Sequence, residues 1–404
     1  MTSQAGTSPL ASRTSLVSSY LVKQFRANLQ AYTLVLALAV IWIYFNWRTD
    51  GIFLNPRNFS NLFRQMTVTA FLSVGMVLVI VTGNIDLSVG KLAGFVSVVV
   101  AYYQTNILVD RFPDQNTLVM VLSVIIGIAC GTIFGVLQGY IIAYMGVTAF
   151  IVTLGSQWFL NGAILLVTES KTIPADRPVF EDIAKGYLPA DVGWIIAALV
   201  VVWLLYSMIR GRQKKARYNF KLSPLPLDLA KTLGLAGLFV FFVYRVNAYK
   251  GLQNPVLLLA ICAMAVAYMS NNTRFGRYAY AIGGNREAAR LSGISVRRNI
   301  FSIFVLMGFL CGVSGVTLAS YVGGGTIAAG NGYELDAIAA CILGGTSTLG
   351  GEGTVFGAII GSLIMVSLTN GLQMANISSN YQYILKGIVL VLAVYVDVRL
   401  KRSR

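Results

Sequence analysis

Residues 118–144 read LVMVLSVIIGIACGTIFGVLQGYIIAY, an uncharged run in which Gly127, Gly131, Gly135 and Gly139 recur every four residues. A spanning helix takes about 20 apolar residues, so this run crosses a bilayer with length to spare. Glycines at that spacing line one helix face with hydrogens and let a second backbone approach closely in lipid. Gly353, Gly357 and Gly361 repeat the pattern, as do Gly308 and Gly312. Such stripes serve static packing and sliding helices alike.

The rest of the chain has the same character. Of its 404 residues 56% are hydrophobic and 11% charged, against about 45–50% and 25% in soluble domains. Further apolar runs stand at 31–47, 66–82, 90–109, 149–167, 192–209, 233–246, 255–269, 300–321, 335–349, 354–372 and 383–396. Several are short or broken by glycine, and Asp86 and residues 344–353 interrupt the pattern. The expected fold is an all-α integral membrane protein, one domain over residues 31–398, with about ten full spans plus half-helices or re-entrant turns. A polar stretch, 1–30, runs into the first span without a small-residue cleavage pattern and reads as a retained tail. Residues 399–404 form a second tail.

The net charge of +16 does not point to nucleic acid, because the basic residues lie in short loops beside apolar runs, where they set membrane orientation. Residues 210–231 hold seven basic residues against Asp228, and 274–298 hold six against Glu287. Both loops are expected in the cytoplasm, with the tail bearing Arg399, Lys401, Arg402 and Arg404. The loop 169–191 carries five acids against three bases and belongs outside. Cys130, Cys262, Cys311 and Cys341 all fall inside apolar runs, where cysteine acts as a small hydrophobe. With no histidine in the chain, a zinc site of the usual kind is not expected.

GNIDLSVGK, 83–91, imitates a phosphate loop but has six residues where that motif needs four, and Leu92 follows the lysine. Asp86 within it reads as the one acid inside the bilayer. It either caps the helix that starts near Leu87 or serves the transport path. This Gly-rich break resembles 343–356, and broken helices in transporters border the substrate path. Asn84, Asp86, Gly344, Gly345 and Thr346 are therefore the candidate pathway positions. Proton- or sodium-coupled carriers need several intramembrane carboxylates or histidines; nearly all fifteen acids lie in loops, so the energy is expected from outside the chain. No His–Ser–Asp set or paired carboxylate supports an enzyme. The competing readings are an ion-coupled secondary carrier and a membrane scaffold.

In YAYAIGGNREAARLSGISVRR, 278–298, Gly283 and Gly284 permit a turn, Asn285 can cap a helix over 286–291, and Gly293 stops it. An Ala-rich surface helix can dock into a groove of another protein. GGNREAARLSGI, with GNIDLSVG at 83, YELDAIAACILGGTSTLGGEGTVFGAIIG from Tyr333 and YQYILKGIVLVLAVYVD from Tyr381, resembles the permeases of ribose/xylose/galactose-type ABC importers, most of all their xylose branch. The likeness covers roughly residues 55–400. It implies a type II importer fold of about ten helices per subunit in a bacterial inner membrane, with both termini cytoplasmic. It further implies a second permease copy, an ATPase subunit that carries ATP and magnesium, and a periplasmic sugar-binding protein; no cofactor is implied for this chain. On the same resemblance Gly284, Asn285, Arg286, Glu287, Ala288, Ala289 and Arg290 form the helix that meets the ATPase.

Overall fold

The computed structural model describes residues 29–220 and 222–402. The expected tail 1–30 falls outside this range except for its last two residues, which already belong to α1 (Leu29–Arg48). Three helices follow: α2 (Pro56–Val81), α3 (Val89–Arg111, with a π-helical turn at Gln104–Leu108) and α4 (Asn116–Ala143). Then come α5 (Ala149–Thr168), strand β1 (Ile173–Pro174), the short α6 (Pro178–Lys185), α7 (Ala190–Arg217), α8 (Leu225–Asn247) and α9 (Asn254–Asn272). Two short helices, α10 (Arg274–Gly284) and α11 (Arg286–Leu291), precede α12 (Val296–Val322), strand β2 (Gly324–Gly325) and α13 (Tyr333–Leu343). The chain closes with α14 (Val355–Met374) and α15 (Ser379–Arg402), so part of the expected C-terminal tail is helical.

Nine of these helices, among the described residues, are long and apolar enough to cross a membrane: α2, α3, α4, α5, α7, α8, α9, α12 and α14. The expectation of about ten spans with broken ones holds. The expected apolar run 335–349 is a half-helix instead, because α13 stops at 11 residues, about 16 Å at 1.5 Å per residue, short of a roughly 30 Å hydrocarbon core.

The bundle is built around α2, whose most apolar window is 89% buried, while that of α7 is 11% buried. Helices apolar on every side are buried or face lipid; α2 does the first and α7 the second. Because lipid is as apolar as leucine, helices associate through close packing and hydrogen bonds rather than through water exclusion. Both devices are present. A Cβ added to Gly131 would stand 2.5 Å from Gly308 O, and one on Gly308 would stand 2.4 Å from Gly131 O, so the glycine stripes of α4 and α12 face each other with backbone on backbone. Around α2, Ser314 Oγ donates to Val68 O at 2.8 Å, Cys341 Sγ to Ser73 O at 3.3 Å, and Ser362 Oγ to Ser73 Oγ at 3.0 Å.

Successive spans reverse direction and give the bundle two ends. At one, β1 pairs with β2 in antiparallel register (Ile173 opposite Gly325), Tyr187 bridges Gln253, and Gln253 Nε2 donates to Ser60 O at 2.6 Å. At the other, α10 lies against the end of α2 and the loop 344–354, and α11 follows it directly. Gly131→Leu forces a side chain into Gly308, and overpacking of this kind costs about 2 kcal/mol; the thermal midpoint of the detergent-solubilised protein falls. Gly155→Leu, where nothing lies within 4 Å of the added carbon, leaves it unchanged. Equal midpoints for the two variants would contradict the packing.

Candidate functional site

Two spans of the bundle are broken, and their breaks meet. After α2 ends at Val81, Gly83 turns the chain with φ +76°, a conformation glycine adopts without strain. Residues 84–88 then climb back into the bundle without helical bonds, and α3 begins only at Val89. Cys311 Sγ lies 3.8 Å from Val89 O, which sets this start beside the middle of α12. The second break is 323–332, five of whose residues are glycine: Gly323, Gly324, Gly325, Gly330 and Gly332. It descends from the end of α12 and opens into α13. A Cβ on Gly330 would lie 1.9 Å from Gly90 O, and one on Gly90 would lie 2.2 Å from Glu334 Oε2. The N-termini of α3 and α13 thus abut inside the bundle.

The sequence likened the first break to 343–356; the stretch that meets the start of α3 in space is 323–332, which the sequence reading did not single out. A chain that lacks helical bonds within lipid must find other partners, and here the partner is the glycine run just ahead of Glu334. The sequence signal was present in YVGGGTIAAGNGYE, whose glycines directly precede an acid.

The acid count needs correction. Asp86 is buried, and so is Glu334, while Asp336 in the same turn pairs with Lys386 of α15 at 2.8 Å. Asp86 forms an Asx turn just ahead of α3: its Oδ1 accepts from Ser88 N at 2.9 Å and Ser88 Oγ at 2.7 Å, and Gln138 Nε2 of α4 donates to Ser88 Oγ at 2.8 Å. That bonding satisfies the carboxylate locally and fixes the entry of α3. Glu334 is different. Gln157 Nε2 of α5 reaches its Oε1 at 3.2 Å, its Oε2 is buried without a hydrogen-bond partner, and buried Lys91 faces it in the first turn of α3. Lys91, Gln157, Glu334 and Asp336 were not singled out by the sequence reading; Lys91, Gln157 and the Glu334/Asp336 turn lie far apart in the chain, and only the fold brings them together.

The other candidate positions lie nearer the α11 end. Asn84 Nδ2 donates to Thr82 Oγ1 at 3.0 Å. Thr346 is fully buried with its N donating to Cys341 O at 2.9 Å, Gly345 has φ +91°, and Gly344 packs on the backbone of Gly357. Val81 is the neighbour both sets share: Gly351 N donates to Val81 O at 2.9 Å, and a Cβ on Gly353 would touch both Thr346 Cγ2 and Val81 Cγ2.

Below them, Asn285 Oδ1 accepts from Ala288 N at 2.9 Å and caps α11. Ala289 is turned into the bundle, whereas Gly284, Arg286, Glu287, Ala288, Arg290 and Leu291 are exposed. Glu287 pairs with Arg290 at 2.6 Å on that outer surface, a pair worth little in water. Leu291 is 77% exposed, an apolar anchor next to the predicted docking residues. Gly283 is wedged: a Cβ there would lie 1.7 Å from Val81 O and 2.5 Å from Gly351 N, while one on Gly284 would meet nothing.

A bundle of apolar helices with two interrupted spans meeting at polar residues is the architecture of a multi-pass membrane permease. The chain belongs to the family described as the branched-chain amino acid transport system / permease component, which it matches over residues 58–394. It is 39% identical to the xylose transport system permease protein XylH of Escherichia coli across 93% of each chain. Against the ribose import permease protein RbsC of the same organism the identity is 33% over 85% of this chain and 87% of that one. The galactose/methyl galactoside import permease protein MglC of Haemophilus influenzae is 32% identical over 86% and 88%. No solved structure matches the chain.

Asn285→Ala removes the cap of α11 at a cost of about 1 kcal/mol. Hydrogen exchange at the amides of α11 then quickens about fivefold, with exchange in α12 unchanged. Unaltered exchange in α11 would show that the cap is not what holds the helix.

Proposed function

We propose that this chain is the membrane permease subunit of a binding-protein-dependent ABC importer that moves a monosaccharide, D-xylose first among candidates, into the cytoplasm on ATP hydrolysed by a separate subunit. The observation that carries the reading is the wedged Gly283. It ties the end of α10, two residues ahead of the cap Asn285 of the exposed helix α11, to the end of α2 and to the loop 344–354, so a partner that pulls on α11 acts through α10 on the inner ends of both broken spans. The relatives named for xylose, ribose and galactose supply the substrate class.

On this reading Gly284, Asn285, Arg286, Glu287, Ala288, Ala289 and Arg290 meet the ATPase, with Leu291 as an apolar anchor. Asn84, Asp86, Gly344, Gly345 and Thr346 border the inner mouth of the pathway. The basic loops 210–231 and 274–298 support a cytoplasmic location for the α11 end in a bacterial inner membrane, and with it cytoplasmic termini. At the opposite end a cavity of about 710 Å³ is lined by Asn58, Arg57, Arg64, Lys185, Tyr187 and Lys250 among others, with no carboxylate in its wall. This cationic surface suits an acidic face on a sugar-delivering protein. A second permease copy completes the path. ATP binding then biases a bundle with two arrangements, each open to one side.

The ion-coupled carrier has one observation in its favour, the buried Glu334, but Lys91 beside it repels a bound sodium ion and the neighbouring Asp336 is already paired with Lys386.

Gly284→Trp adds bulk where this chain has open space, so the permease still reaches the membrane while its docking surface is obstructed. ATP-dependent sugar uptake falls at least about tenfold, a loss of 1.4 kcal/mol or more in coupling, and the tagged variant retains less ATPase on purification. If tagged wild-type protein retains no ATPase, or the variant transports normally, the proposal fails.

A further inference from the structure

Where the two broken spans meet, three side chains from three helices converge: Lys91 of α3, Gln157 of α5 and Glu334 of α13. Glu334 is 6% exposed and Lys91 7%. The carboxylate has one oxygen on the Gln157 amide and the other buried with no hydrogen-bond partner. An unsatisfied buried oxygen of this kind costs more than an ordinary hydrogen bond returns. Lys91 feels the charge of Glu334, yet the ion pairs within 4 Å among the described residues join 181 with 185, 212 with 228, 287 with 290 and 336 with 386, leaving these two groups further apart. Gly90 has no Cβ, so its backbone lies close against the Glu334 carboxylate, one residue from Lys91.

A strong acceptor and a strong donor held apart beside a free amide oxygen select their ligand by chemistry. An anion is repelled by Glu334 and a cation by Lys91. A hydroxyl is not repelled: it donates to Glu334 Oε2 and accepts from Lys91 Nζ at once, and a neighbouring hydroxyl donates to Gln157 Oε1.

We propose that Lys91, Gln157 and Glu334 form a binding station for a neutral polyhydroxyl substrate, deep in the bundle between its two ends. This deepens the sugar-permease reading and rests on it. The alternative is a buried charge pair that only braces α3 against α13.

The test uses the complete importer, permease with ATPase and binding protein, in proteoliposomes supplied with labelled D-xylose, and reads sugar taken up per ATP hydrolysed. Glu334→Gln and Lys91→Met each lower that ratio about tenfold, as expected for loss of one hydrogen bond to a charged group. The double variant falls further than either single, because both ligand contacts are gone. Gln157→Leu, which changes no charge, lowers the ratio as well and serves where a charge variant fails to assemble with the ATPase. Recovery in the double variant shows a bracing pair and overturns the station, as does a ratio unchanged in every variant. Absence of ATP-dependent uptake by the wild-type complex overturns the permease reading itself, and the station with it.

Discussion

The structure depends on one steric fact, the contact of two chain breaks through glycine. Inside a bilayer no water is available for a backbone group released from a helix, and each unsatisfied one costs several kcal/mol. Residues 84–88 and 323–332 are both non-helical within the bundle. They are tolerable because Gly90, Gly94 and Gly330 bring backbone against backbone, Gly94 facing Ala329 O as closely as Gly90 faces Gly330. Every polar residue of interest is placed by that contact, since it fixes where α3 and α13 begin.

From this joint the mechanics run outward. The half-helix α13 ends at Leu343, and the loop after it returns to Val81, the last residue of α2. Gly283 closes the ring. Three elements that are remote in sequence therefore share one small backbone cluster at residues 81, 283 and 351. Packed interiors respond to force by switching between arrangements rather than by deforming smoothly. On the proposed function, a cluster this tight is the route by which a displacement of α11 would reach both broken spans together. The outer helices α5, α7 and α8 are largely exposed, as suits elements that face lipid or a second copy.

Much of this was legible in the sequence, and what was missed has a common cause. The stripe 127–139, the uncharged spans and the capped helix over 286–291 are local patterns of spacing and composition, and the fold reproduces them, although helices such as Pro56–Val81 and Ala190–Arg217 run eight to ten residues beyond the apolar runs inside them. Asp86 was likewise read locally, as a cap or a pathway residue, and it bonds Ser88 just ahead of α3 rather than the amides of the helix. The pairing of the two breaks was not legible, because it joins positions some 240 residues apart and both breaks resemble several other Gly-rich stretches. Glu334 and Lys91 were passed over for the same reason. Each is a single charge beside an apolar run, and only contact at Gly90 gives either a neighbour.

The central claim is that this bundle is a sugar path whose energy enters through α11 rather than through an ion gradient. Reconstitution with internal ATP measures it most directly, following labelled D-xylose with and without the ATPase and binding protein, and with proton and sodium gradients collapsed. The account predicts uptake that requires both partners and ATP and is indifferent to the gradients. Uptake by the permease alone, driven by a gradient, would contradict it.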